Sequence, residues 1–302
     1  MLDPVLKASG GATRLCVCVD ELLASIPLDA LPRGNERVGD AIALHVESSF
    51  ARLLEPAAAE PAGNPTLLAM GAAELAAVST TTLPELPAAG PELEAVVRRF
   101  HARWADGQAT LTTGSAAQKS AFLAAAPSAR FLHVATHGWY AFEGASSVLA
   151  APRGTGAWSP SMEASAIRAF APLTSCGLAF AGTSGASAPD VLTAEELARL
   201  DLRQCDLAVL SACETAAGLA LGGQSTQSLQ AALHAAGARS AITSLWRVSD
   251  ASARALFEEF YAGLWERGES RSDALWHAKR ALRAQGLPPG EWAGWVLSGA
   301  SR

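Results

Sequence analysis

Two apolar runs in this chain each end on a side chain that can take part in acyl transfer. Phe131-Leu-His-Val-Ala-Thr runs into His137 and Gly138, and Leu207-Ala-Val-Leu-Ser-Ala runs into Cys213. Short apolar runs of this kind read as buried strands, and the carboxyl ends of parallel strands open on the crevice where α/β sheets bind ligands. A thiolate at Cys213 would attack a carbonyl carbon while His137 takes the proton. Gly138, without a Cβ, lets a backbone N–H approach the developing oxyanion, and the N–H of Cys213 is a second donor. A helix soon after Cys213 would also lower the thiol pKa through its N-terminal dipole. The spacing alone leaves a plainer reading open, in which a buried thiol and a strand-end imidazole never meet.

Other chemistries fit less well. His133 and His137 are four apart, a zinc spacing on a helix, but the run is β-rich and no acid or third ligand lies nearby in the sequence. His133 is expected on the strand face of His137, as a packed residue. The stretch from Gly218 to Ser225 comes close to a phosphate-binding loop, with Gln224 where a lysine must reach the phosphates. Its glycines are expected to bend the chain around a substrate groove. Cys16, Cys18, Cys176 and Cys205 sit beside apolar residues and read as buried, inert thiols. Five cysteines at these spacings suggest no disulfide framework.

The elements that must position His137 and Cys213 alternate between strand and helix, which predicts a largely parallel sheet covered on both faces. Strands are expected at Arg14–Val19, Thr66–Gly71, Ala109–Thr112, Arg130–Thr136, Gly177–Ala181, Leu207–Ala212 and Ser240–Leu245, with an edge strand at Trp292–Leu297. Helices are expected at Ser48–Leu54, Glu92–Trp104 behind Pro91, Ser115–Ala125 capped by Ser115, Thr226–Ala236, Ser249–Arg267 and Arg271–Gln285. Thr193-Ala-Glu-Glu196 is a capping box opening a short helix. Irregular stretches are expected at 57–65 and 79–90, from Gly138 to about Pro172, and at 182–189.

Composition limits the partners. Of 302 residues, 50% are hydrophobic and 17% charged, which suits a packed globular chain. A net charge of −6 without a dense basic cluster argues against nucleic acid. No apolar stretch reaches the ~20 residues of a bilayer span, and the first residues lack the pattern of a signal peptide. A soluble, cytoplasmic protein without a membrane partner is expected.

Taken in order, these segments resemble the CHAT family of caspase-like cysteine peptidases, relatives of separase. Leu132-His-Val-Ala-Thr-His137-Gly138 resembles its histidine block and Val209-Leu-Ser-Ala-Cys213-Glu-Thr215 its cysteine block. The stretch from Ala235 to Trp246 resembles the strand and tryptophan that follow, and Phe260-Tyr261, Ala274-Leu275 and Trp292-Ala293 continue the pattern. Ile26-Pro27-Leu28-Asp29-Ala30-Leu31 resembles the opening segment.

The resemblance implies an α/β, caspase-like three-layer sandwich with a mostly parallel central sheet flanked by helices. It covers residues 1–302, as an N-terminal subregion of about 1–125 and a catalytic subregion of about 126–302. It implies a cysteine endopeptidase acting on a protein substrate without a cofactor or metal, in bacterial defence or cell-death signalling. His137 would be the general base and Cys213 the nucleophile, with the backbone of Gly138 and Cys213 as oxyanion hole. Glu214, Trp246, Arg247 and Asp250 would line the substrate cleft. Glu214 and Asp250 there would favour a basic residue, unless either is a cap or a solvated acid.

Two departures stand out. Thr136 replaces a cysteine frequent in the family, a small-for-small change expected to be harmless, and Arg247 stands where proline is common. Regulation would come from a separate regulatory or sensor protein, from self-cleavage or the long loops, or from an N-terminal portion missing here. The competing class is a non-catalytic CHAT-like binding or scaffold module.

Overall fold

The computed structural model describes residues 3–19, 23, 26–47, 63–71, 86–140, 176–182, 190–212 and 229–301. A helix at Asp3–Ala8 precedes β1 (Arg14–Cys18), the short pair β2 (Pro32–Arg33) and β3 (Glu36–Arg37), and β4 (Ala43–Glu47). Then come β5 (Thr66–Gly71), β6 (Gln108–Thr113), β7 (Phe131–Ala135), β8 (His137–Tyr140), β9 (Cys176–Phe180) and β10 (Asp190–Thr193). The last strands are β11 (Leu207–Ser211), β12 (Ser240–Ser244) and β13 (Trp295–Gly299).

Six of the described strands form the central sheet, in the order β13-β12-β11-β7-β5-β6. All neighbours run parallel except β13, which closes one edge antiparallel to β12. Strand alternation explains the continuous apolar runs, because both faces are covered. Leu67, Ala69, Phe131, Leu207, Val209 and Ile242 point to a core built with the helices Ala89–Arg103, Asp250–Tyr261 and Arg271–Ala284. Leu68, Met70, Leu132, Val134, Ala208 and Leu210 point the other way, against Lys119–Ala125, Ala194–Ala198 and Leu229–Ala235. The result is the expected three-layer α/β sandwich.

Several elements differ in detail. Pro91 is tolerated in a first turn, where its missing N–H breaks no helical bond, so its helix starts earlier, at Ala89. Ser115 caps nothing. Gly114, at φ +59°, leads into a 3-10 turn over Gly114–Ala116, and the helix proper runs Lys119–Ala125 from Gln118. The box at Thr193 forms as expected, its hydroxyl taking the N–H of Glu196 while the Glu196 carboxylate takes that of Thr193. The helix after β12 is α-helical over Asp250–Tyr261 and widens to a π turn over Ala262–Glu266. Pro289–Glu291 forms a 3-10 turn, which delays the edge strand to Trp295–Gly299.

The long loop expected from Gly138 begins instead with strand β8, which joins β9 and β10 in a second, antiparallel sheet. Cys16 and Cys18 are corrected too. Their strand pairs with β4 in a two-stranded sheet apart from the central one, leaving Cys16 exposed and Cys18 half-buried. Cys176 and Cys205 are buried, and desolvation pushes their thiols up to about 11 and about 12. The expected helix at Ser48–Leu54, most of the loops at 57–65, 79–90 and 138–172, and the glycines at 218–223 lie outside the described residues. Among the described residues no helix is long and apolar enough to cross a membrane.

Candidate functional site

The carboxyl ends of four parallel strands meet along one edge of the central sheet. β7 lies between β5 and β11, with Ala135 in register with Gly71 on one side and Ser211 on the other. β12 continues the array through the pairing of Val209 with Ile242. The approach at Gly71 requires glycine, since a Cβ there would fall 2.6 Å from the Ala135 carbonyl oxygen and 2.7 Å from Leu93.

Thr136 turns the chain from this sheet into the next. Its N–H donates to the Ser211 carbonyl at 3.3 Å, and its hydroxyl donates to the Ala179 carbonyl on β9. Thr136 thus ties the two sheets together at the point where β7 ends. His137 follows as the first residue of β8, 4% exposed and opposite Ala179, and half-buried Gly138 faces Leu178. Cys213 and Glu214 lie outside the described residues, which end on this side at buried Ala212.

The segment after β12 is held along most of its length. The Trp246 indole N–H donates to the Gly290 carbonyl at 2.7 Å, and the ring lies on Gly294, where a Cβ would approach it to 2.8 Å. The Ser244 hydroxyl donates to the Trp246 carbonyl, and the Leu245 N–H to the Gly294 carbonyl at 2.8 Å. Ser249 caps the next helix and donates its hydroxyl to Glu291 at 2.6 Å, which holds that carboxyl below its usual range. Asp250 accepts the backbone N–H of Ala88, the residue that opens the helix Ala89–Arg103. Its carboxylate therefore satisfies a helix terminus. Arg247 is exposed.

His133 is fully buried between two partners that the sequence does not announce. Its Nε2 lies 2.7 Å from Glu92 Oε1 and its Nδ1 2.9 Å from the Tyr261 hydroxyl. An acid therefore does lie beside it, brought by the helix Ala89–Arg103. Desolvation first, and then the Glu92 carboxylate, raise the Tyr261 phenol well above its ordinary pKa. A protonated Tyr261 donates to Nδ1 while Nε2–H donates to Glu92, which satisfies every member. The alternation expected to carry His133 and His137 on one face stops at Ala135, because the chain changes sheets at Thr136. Among the described residues no three His, Cys, Asp or Glu side chains are placed to hold a metal.

A family model for the CHAT domain matches residues 1–300. The chain belongs to the CHAT domain family. Among solved structures, this CHAT chain is similar to the complex of the pro- and mature domains of Porphyromonas gingivalis RgpB. There the TM-score is 0.58 at 12% identity, covering 99% of this chain and 67% of that one. The Arg-specific cysteine proteinase gingipain R is similar with a TM-score of 0.54 at 11% identity, over 90% of this chain and 57% of its own. A chain of the Saccharomyces cerevisiae separase–securin complex gives 0.51 at 11% identity, over 91% of this chain and 14% of that one. The CHAT chain thus spans little more than half of the gingipain R chain and a small part of the separase-complex chain. At these identities the likeness is one of fold, that of the caspase-like peptidases. No curated protein sequence matches the chain.

Proposed function

We propose that this CHAT chain is a cysteine endopeptidase, with Cys213 as nucleophile, His137 as general base, and the N–H groups of Gly138 and Cys213 as oxyanion hole. The observation that carries this reading is the register of Ala135 with Ser211. His137 and Cys213 each follow these partners by two residues in the sequence. Neighbouring parallel strands lie about 4.8 Å apart, so the strand ends that lead toward His137 and Cys213 stand at one level of the same edge. The fold of caspase-like peptidases supports the same assignment.

In this mechanism His137 takes the Cys213 proton and the thiolate adds to the scissile carbonyl. The tetrahedral oxyanion is held by the two N–H groups. It collapses to a thioester as His137 returns the proton to the departing amine. Water, deprotonated by His137, then hydrolyses the thioester and restores the thiol. No cofactor or metal takes part. The substrate is a protein, the setting is the cytoplasm in bacterial defence or cell death, and a separate sensor protein controls activity. Trp246 and Arg247 flank the cleft.

Incubation of wild type and Cys213→Ala with proteins encoded alongside tests the reading. Cleavage by wild type alone supports it. Cleavage undiminished in Cys213→Ala sinks the mechanism, and no cleavage by either favours a binding or scaffold module.

A further inference from the structure

On the side away from β13 the central sheet ends at β6, which pairs among the described residues with β5 alone. In a parallel ladder the backbone groups of alternate residues turn toward one neighbour, and those between turn away from it. The Gln108 N–H donates to the Pro65 carbonyl at 3.1 Å, so Gln108, Thr110 and Thr112 face β5. Ala109, Leu111 and Thr113 therefore turn their N–H and C=O groups outward, where no described residue meets them. Natural sheets guard such an edge with lysine, proline or a covering element. The strand Gln108-Ala-Thr-Leu-Thr-Thr113 carries no charge and no proline. Leu111 is 41% exposed, the more open of the two large apolar side chains exposed among the described residues. Neighbouring β5 and β7 are buried, as parallel strands usually are, and β6 is not.

We propose that β6 is a dimer interface, pairing antiparallel with the same strand of a second copy across a twofold axis at Leu111. Outward groups must meet outward groups, which restricts a central axis to Thr110 or Leu111. The axis at Leu111 uses every outward residue: Ala109 meets the copy's Thr113, and Leu111 meets its own copy. Each such pair exchanges two N–H···O bonds. Thr110 then stands opposite the copy's Thr112, and threonine pairs across strands are favourable. A twofold axis sets a strand against itself, so a charged strand would repel its copy, whereas this one is neutral throughout. A strand from an unrelated partner would gain the same backbone bonds, but no matched side-chain pairs. In the dimer the two six-stranded sheets run on as one. Their strand carboxyl ends point in opposite directions, which leaves the edge at His137 open in both copies.

Sedimentation of the full chain over a range of concentrations tests the interface, using wild type, Leu111→Lys and Leu111→Asp, the last two alone and mixed. Wild type is expected to dimerise. Either substitution sets like charges opposite each other at the axis and should raise the dissociation constant about tenfold or more. Circular dichroism should stay unchanged, because the side chain is exposed. Mixed in equal amounts, the two variants should recover the dimer as a heterodimer, since lysine then faces aspartate. Wild type that stays monomeric at the highest concentration reached overturns the proposal. A wild-type dimer that both substitutions leave intact also overturns it, as does a mixture that associates no better than its parts. His137 and Cys213 are untouched in every arm, so the outcome is independent of the peptidase reading.

Discussion

Ala135 and Ser211 are register partners on the adjacent parallel strands β7 and β11, and the N–H of the next residue, Thr136, donates to the Ser211 carbonyl. One pair of strand ends therefore sets the level at which the central sheet hands the chain on to His137. The register fails if the strands separate, so the packing around them bears directly on the site.

Gly71 is a close approach within that packing. Gly71→Ala would drive a methyl group into the Ala135 carbonyl and Leu93, and a backbone atom cannot swing aside. Overpacking of this kind costs about 1–3 kcal/mol. Urea unfolding should show the loss, and any activity should fall with it. An unchanged midpoint would contradict the close approach.

The Glu92–His133–Tyr261 network should respond unequally to single changes. His133→Ala leaves the buried Glu92 carboxylate uncompensated, at a cost of about 3–5 kcal/mol, and Glu92→Ala leaves a buried imidazole N–H unsatisfied, at about 1–3 kcal/mol. Tyr261→Phe removes one neutral donor and should cost about 1 kcal/mol. Denaturant titrations of the three variants check the order, and Tyr261→Phe as the most damaging would refute the arrangement.

Cys176, Cys205 and Tyr261 carry raised folded-state pKa values, so they favour the folded state below their unfolded values and cease to do so as pH rises through the folded ones. The thiol contribution is complete below 9.0 and is lost as pH climbs toward about 11 and about 12. The phenol contribution is complete below 10.0 and declines above it. Stability should thus fall progressively above pH 9. Native iodoacetamide labelling at mildly alkaline pH should modify exposed Cys16 and spare Cys176 and Cys205. Rapid modification of either buried thiol would contradict their burial.

Asp250→Ala should cost about 1 kcal/mol, because it strips an acceptor from the opening N–H of the helix Ala89–Arg103. Asp250→Asn, which keeps an acceptor oxygen, should recover most of it. Equal losses in thermal melts of the two variants would mean that charge, rather than the hydrogen bond, holds the contact.

The strands were legible in the sequence wherever burial on both faces made an unbroken apolar run, as at Thr66–Gly71 and Leu207–Ser211. The Thr193 box was legible because both of its partners lie within three residues. Contacts made across the fold were not. His133 gave no sign of Glu92 or Tyr261, which the topology brings from distant helices. Glu92 did leave a faint signal, since it shares a helical stripe with buried Val96 and Phe100. Cys16 looked like a core thiol because β1 reads as an apolar strand, while its two-stranded pairing leaves that side open. The break at Thr136 depends on Ala179 in a different sheet, so the strand β8 was hidden behind a run that reads as continuous.

The central claim is that Cys213 is a nucleophile served by His137. Its most direct measurement is the pH dependence of Cys213 alkylation by iodoacetamide, in wild type and in His137→Ala, read by mass spectrometry. A thiol paired with an imidazole should react in the wild type well below the ordinary thiol pKa of about 8.5, and His137→Ala should return its profile to that value. Identical profiles for the two proteins would contradict the account.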